Sequence, residues 1–425
     1  MATPNSDLFK QFVRQFPDAI DKTDIWQSKA DAENYAATNP TAFEGQILAY
    51  KYGTEQRAAI VQPNMTLKDI GSQSPNIMYD STVFEDFMKG FTNPISRSVF
   101  PPVFKTIQSH GGGSNAFSGG VLTPNGNVIL IPYSIPFIGI YDIATNTYAN
   151  GAMHGKGTSA FSGGVLVPNG KIILVPHNSA NIGIYDPISD AYSDGVAHGK
   201  AGNAFHGGIL MPDGKVILIP YNSPNIGIYD PNTNIYTDGP AHGKGNQAFQ
   251  GGALAPNGNV ILAPVGSGSQ NVGIYDPIQN IFINGASKSE AGGAFWGIVP
   301  SMNGKSILVP GTSQYIGIYD AISDTYINGA YVGSRSFVGG VLTPDGKVIL
   351  VPYGSANIGI YDIATDTYTD GTVHGKSNAA FQGGILTPNG KIILVPFNSA
   401  DVCSYDLIGV EVGLGYCLHP YLNKY

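Results

Sequence analysis

Charge is scarce in this chain. Charged residues make up 12% of its 425 residues, about half the share of an ordinary soluble domain. The net charge is −8 and no basic stretch is interleaved with aromatics, so no nucleic-acid partner is expected. Cysteine is nearly absent. Cys403 and Cys417 cannot make a disulfide framework, and both are expected as free thiols. No apolar run approaches the length of a bilayer span, and no signal peptide opens the chain. Membrane insertion is therefore not expected, and synthesis in a cytosol is. Enzyme signatures are missing as well. There is no Gly-x-Ser-x-Gly elbow, no His-Glu-x-x-His, no phosphate-binding glycine loop and no Cys/His cluster at metal spacing. The expectation is no catalytic residue, no metal and no cofactor.

What the chain has in quantity is turn-forming residues, with 56 glycines and 29 prolines, beside 42% hydrophobic residues. That hydrophobic content argues for a turn-rich folded protein rather than a disordered one. The turns are periodic. An Asn-Gly or Asp-Gly pair starts at 125, 169, 213, 257, 303, 345 and 389, giving spacings of 44, 44, 44, 46, 42 and 44. A Tyr-Asp pair ends at 142, 186, 230, 276, 320, 362 and 406 in the same phase, so the units number seven.

Each unit carries four strand signals and no helix signal. In the second unit the strands are expected at 161–167, 171–175, 181–185 and from 191, the last ending at Asp194-Gly195. Asn169-Gly170 needs positive φ at both central residues, the hairpin signal. The nearly continuous apolar run 171–175 predicts a strand covered on both faces, ended by Pro176. Four short antiparallel strands per unit of about 40–50 residues is the pattern of a propeller blade. The fold class expected is mainly β, a seven-bladed β-propeller with a small N-terminal α+β region.

The run YDPISDAY at 185–192 resembles the third-to-fourth-strand segment of Kelch-type propellers, and the resemblance covers roughly residues 98–412. This chain departs from it in two ways. The double glycine lies in the first strand, and Tyr148, Tyr192, Tyr236, Phe282, Tyr326 and Tyr368 stand where Kelch blades carry Trp.

His110-Gly111 lies 44 residues before His154-Gly155, in phase with the blade junctions at His198, His242 and His374. Residues 99–108 thus hold the place of a fourth strand with no first three before it. They are expected to complete the seventh blade and leave no open edge, with 410–412 as a competing candidate.

In a propeller, the loops between blades and between second and third strands open on one face. From Asp to the fourth-strand aromatic the distance is six residues in all six measurable units, so the other face is uniform. From the strand-ending Pro to the third-strand Gly it is seven, but nine in the fourth unit (Pro264 to Gly273). From the fourth-strand Gly to the next Phe it is ten, but eight before Phe337. Length changes confined to one face mark it as a candidate binding face. The residues after the strand-ending prolines vary there too, and Tyr133, His177, Tyr221, Tyr353 and Phe397 are the candidate ligand-binding residues. Two readings stand: the rings stack on sugars, or they cap the loop beneath. The recurring His-Gly-Lys has two readings also, a polar ring or a tie between blades. First-strand residues Ser118, Ser162, His206, Gln250, Trp296, Val338 and Gln382 are placed to line the channel and are too mixed for a metal ring. The irregular acids on the variable face, Glu290 and Asp401, lie three blades apart, too far for a carboxylate pair.

Ahead of the ring, 6–16 places Leu8, Phe9, Phe12, Val13 and Phe16 on one helical stripe, 28–37 reads as a weaker helix, and 81–91 as a third. Between them, 46–52 and 57–62 form an expected hairpin around Gly53, with a third strand at 66–70. Residues 31–71, including DAENYAATNPTAFEGQILAY, are similar to a small module of tailed-bacteriophage virion proteins. That resemblance implies a structural or attachment part of a virion. The domains expected are a virion-attachment module at 1–71, a helical connector at 72–97, the propeller at 98–412 and a tail at 413–425. The function expected is a structural virion protein whose propeller recognises a host-surface glycan or receptor. Residues 1–97 would bind other virion proteins, and the protein would be oligomeric in the particle. A lectin-type propeller outside a virus and a polysaccharide-acting propeller enzyme are the alternatives.

Overall fold

A computed structural model describes residues 102–288, 295–301 and 303–407. Ahead of these it describes Ala30 as helical and gives three strands, Ile47–Tyr52, Glu55–Val61 and Leu67–Ser72. These three form an antiparallel meander, with Tyr52 facing Glu55 and Val61 facing Leu67. They overlap the segments 46–52, 57–62 and 66–70 where the sequence places strands; Gly53 lies outside the described residues. The expected helices at 6–16 and 81–91, most of that at 28–37, and the tail lie outside the described residues.

Seven four-stranded antiparallel sheets follow, at 117–153, 161–197, 205–241, 249–287, 295–331, 337–373 and 381–406. We number them blades 1 to 7. The chain is a seven-bladed β-propeller. The seventh sheet has only three strands of its own, and Val103–Ser109 pairs with Asp401–Asp406 as its outermost strand. The ring therefore closes with the N-terminal strand, in the place its 44-residue phase predicts.

Blade 2 shows how the sequence makes the fold. Its strands are Phe161–Leu166, Ile172–Pro176, Asn181–Asp186 and Ala191–Ala197. Along the second strand, Ile172 and Leu174 pack against blade 1 with Val121, Ile129 and Ile131. Ile173 and Val175 point the other way and pack against blade 3 with Phe205 and Val216. The apolar run is continuous because both faces of the strand are interfaces.

The paired glycines of the first strand have separate causes. Gly163 takes φ 90° where the register with the second strand shifts, a bulge that only glycine adopts cheaply. Gly164 makes room for the neighbouring blade, since a Cβ there would stand 2.6 Å from Ile131 Cδ1. The fourth strand runs past the expected end at Asp194-Gly195 to Ala197. A register shift between Asn181 and Gly183 lets Asn181 Nδ2 donate to the Gly195 carbonyl at 3.0 Å and carries the pairing on.

Candidate functional site

The five candidate residues that follow strand-ending prolines are each held by backbone on both sides. In blade 1, Tyr133 N donates to Ala116 O at 2.9 Å, and Tyr133 O accepts from Ala160 N of blade 2 at 2.8 Å. His177 and Tyr221 repeat this with Ala204 and Ala248, and Phe397 repeats it with Ala116. These carbonyls stitch one blade to the next, which fixes where the side chains project.

The structure brings all five candidates together around one mouth of the ring. Centroids of neighbouring rings lie 6.4 Å apart for Tyr353 and Phe397, 5.6 Å for Phe397 and Tyr133, 5.6 Å for Tyr133 and His177, and 5.8 Å for His177 and Tyr221. A sixth ring extends the arc. Trp296, from the first strand of blade 5, meets Tyr353 edge-on at 5.2 Å. It fills the space above Gly311, where any Cβ would collide with the indole. The aromatic horseshoe thus spans blades 5, 6, 7, 1, 2 and 3 and opens at blade 4, where Val265 follows the proline. His177 and Phe397 are buried within it, at 5% and 9% exposure, while Tyr133, Tyr221, Tyr353 and Trp296 are half-buried. Of the six rings, two are packed within the arc and four present surface to the mouth.

The floor of the mouth is polar and neutral. Ser118 and Ser162 share a hydrogen bond of 2.9 Å between adjacent first strands. Gln382 Nε2 donates to His206 Nε2 at 3.2 Å. These two residues belong to blades 7 and 3, so they meet across the ring axis and close the channel at that level. His177 Nδ1 donates to Phe205 O at 3.0 Å, which leaves Nε2 as an acceptor. Its ring stands perpendicular to that of His206, 6.0 Å away. Burial lowers the pKa of both histidines; His206, also beside His177, falls to about 3. Burial raises the phenols of Tyr221 and Tyr353, and the charge Tyr133 would carry raises both further.

The longer loop of blade 4 folds back over the junction before it. A Cβ on Gly266 would stand 2.6 Å from the Gln247 carbonyl. Outside the mouth, a pocket of about 270 Å³ sits at the junction of blades 7 and 1, walled by His110, the glycines at 111–113, Ile135 and Asn150.

The His-Gly-Lys repeats are ties between blades. His154 Nε2 donates to Ile135 O at 2.8 Å, and its ring packs edge-on against Phe161 and Tyr192 of the next blade. Lys156 Nζ pairs with Asp194 Oδ2 at 2.6 Å, and Tyr192 donates to Asp194 Oδ1 at 2.7 Å. On the uniform face, Asp186 Oδ1 accepts from Ile188 N and Ser189 N, a turn-forming role. Asp190 accepts from Tyr185 and from Ala152 N of the preceding blade.

No family model and no curated protein matches this chain. Solved structures do. A streptogramin B lyase superposes with a TM-score of 0.63 at 12% identity, covering 72% of this chain and 97% of its own. A catalytically inactive virginiamycin B lyase from Staphylococcus aureus with quinupristin gives the same score and identity over 72% and 100%. The hydrazine synthase of Kuenenia stuttgartiensis scores 0.55 at 11% identity over 73% and 98%. At such identities the likeness is one of fold, and the activities in those names belong to those proteins.

Proposed function

We propose that this chain is a recognition protein whose propeller offers its aromatic mouth to a cell-surface glycan. The observation that carries the reading is the horseshoe of rings. Four half-buried aromatics, each held by backbone on a closed ring, offer large rigid surface at little entropic cost on binding. Sugar rings present C–H faces that stack on such surfaces, and the phenol and imidazole groups beside them supply hydrogen bonds. Asp401, the irregular acid of this face within the described residues, is held by Lys376 at 2.8 Å, which favours binding over hydrolysis as the role of this mouth.

The setting we propose is a tailed-phage virion, with residues 1–97 binding other virion proteins, the ring displayed towards the host, and several copies per particle. This half of the proposal rests on the similarity of residues 31–71 to the virion module. A lectin-type propeller outside a virus would share the mouth and differ in the partner of residues 1–97. The test is electron microscopy and host adsorption of particles with and without this protein. Lost density on the tail together with reduced adsorption supports the reading. Particles unchanged in both respects would remove the virion role.

A further inference from the structure

We infer that the ligand end admitted by this mouth is an uncharged sugar, and that sugars ending in a carboxylate are rejected. The inference rests on the glycan reading above and deepens it. None of the seven residues after the strand-ending prolines, and none of the seven first-strand residues placed towards the axis, is Asp, Glu, Lys or Arg. Four junction cations of this face are already engaged, Lys376 with Asp401, Lys156 with Asp194, Lys200 with Asp238 and Arg335 with Asp370; the charged form of Lys244, in the junction before blade 4, is disfavoured by burial. The histidines do not supply a cation either, because burial favours their neutral forms and His206 is spent across the axis on Gln382.

An acidic sugar entering here would give up water around its carboxylate and meet aromatic rings and phenol oxygens instead. Desolvating a charge without an opposite charge is unfavourable. A neutral sugar loses less, since its hydroxyls can trade water for the hydroxyls of Tyr133, Tyr221 and Tyr353 and for His177 Nε2. The same mouth would discriminate through the missing charge alone, without any repulsive group.

The experiment uses the full chain at pH 7 on an array of matched pairs, each an uncharged oligosaccharide and the same oligosaccharide ending in sialic or uronic acid. The expected result is binding of uncharged members at least about tenfold tighter than their acidic partners, lost in the Tyr221→Ala/Tyr353→Ala variant with unchanged melting. Acidic members bound equally or better, through a signal that the double variant abolishes, would overturn this inference and leave glycan recognition standing. No binding to any member, or binding unaffected by the double variant, overturns both.

Discussion

Gly170 and Gly183 lie in the same blade and resist substitution for different reasons. Gly170 has φ 84° with open space around its Cβ position, and Gly214 in blade 3 has φ 82° with only Asn232 near, at 3.9 Å. Valine at either should cost about 1–2 kcal/mol through backbone strain alone. Equal losses in the two blades, read from chemical denaturation, are expected. Gly183 lies beneath Phe161, and a Cβ there would stand 2.8 Å from Leu174 Cβ and 2.9 Å from the phenylalanine ring. Gly183→Ala should therefore be destabilising by about 1–3 kcal/mol through overpacking, although alanine suits a strand better than glycine. His206 sets a pH dependence. Its folded pKa lies below the ordinary 6.5, so the stability it contributes is complete above pH 6.5 and is lost as pH falls towards 3. By pH 5 the loss should be on the order of 2 kcal/mol, with added shares from His154, His177, His198 and His242, all lowered by burial. Melting temperatures measured from pH 7.5 to 5 should fall, and the fall should be shallower in His206→Gln. A parallel fall in that variant would remove His206 from the account. At this scale the sequence spoke unevenly. Post-proline aromatics could be read from their repeat phase. Trp296 was legible as a channel position but not as part of the arc, because the signal was the glycine at 311 that makes room for it.

Blades were the most legible level, because each repeats the same turn, the same glycines and the same Tyr-Asp. Even the closure could be read, since His110 keeps the phase of the junction histidines. The reach of the fourth strand was harder. It depends on the register shift at Asn181, a matter of backbone pairing that composition does not announce. Two predictions belong here. Deleting residues 1–110 removes the outer strand of blade 7, with its Lys105–Asp406 pair at 2.6 Å and the Phe104 contact with Phe381 at 6.2 Å. The truncated chain should melt lower and self-associate through the exposed edge of Asp401–Asp406. A monomer with unchanged melting would contradict the closure. In blade 2, Tyr192 packs against His154 and Phe161 and bonds Asp194. Tyr192→Ala should cost about 2–3 kcal/mol without touching the mouth.

Across the whole molecule the two faces of the ring divide the labour. One repeats without change in loop length and holds the turns ordered by Asp186 and its counterparts. The other varies in loop length and gathers six rings around the axis. Which face would vary could be counted from residue spacings. That the rings would meet, and that His206 and Gln382 would span the axis from positions 176 residues apart, could not, because a repeat sequence does not state how near the axis each blade stands. The central claim is that this mouth is where ligand binds, and Trp296 offers a direct reporter. The chain has two tryptophans, Trp26 and Trp296. In a Trp26→Phe background the emission comes from the mouth alone. Titration with an uncharged oligosaccharide that the protein binds should shift or quench that emission, with the same midpoint as binding measured by calorimetry. Full calorimetric binding with the Trp296 emission unmoved would place the ligand elsewhere and contradict the account.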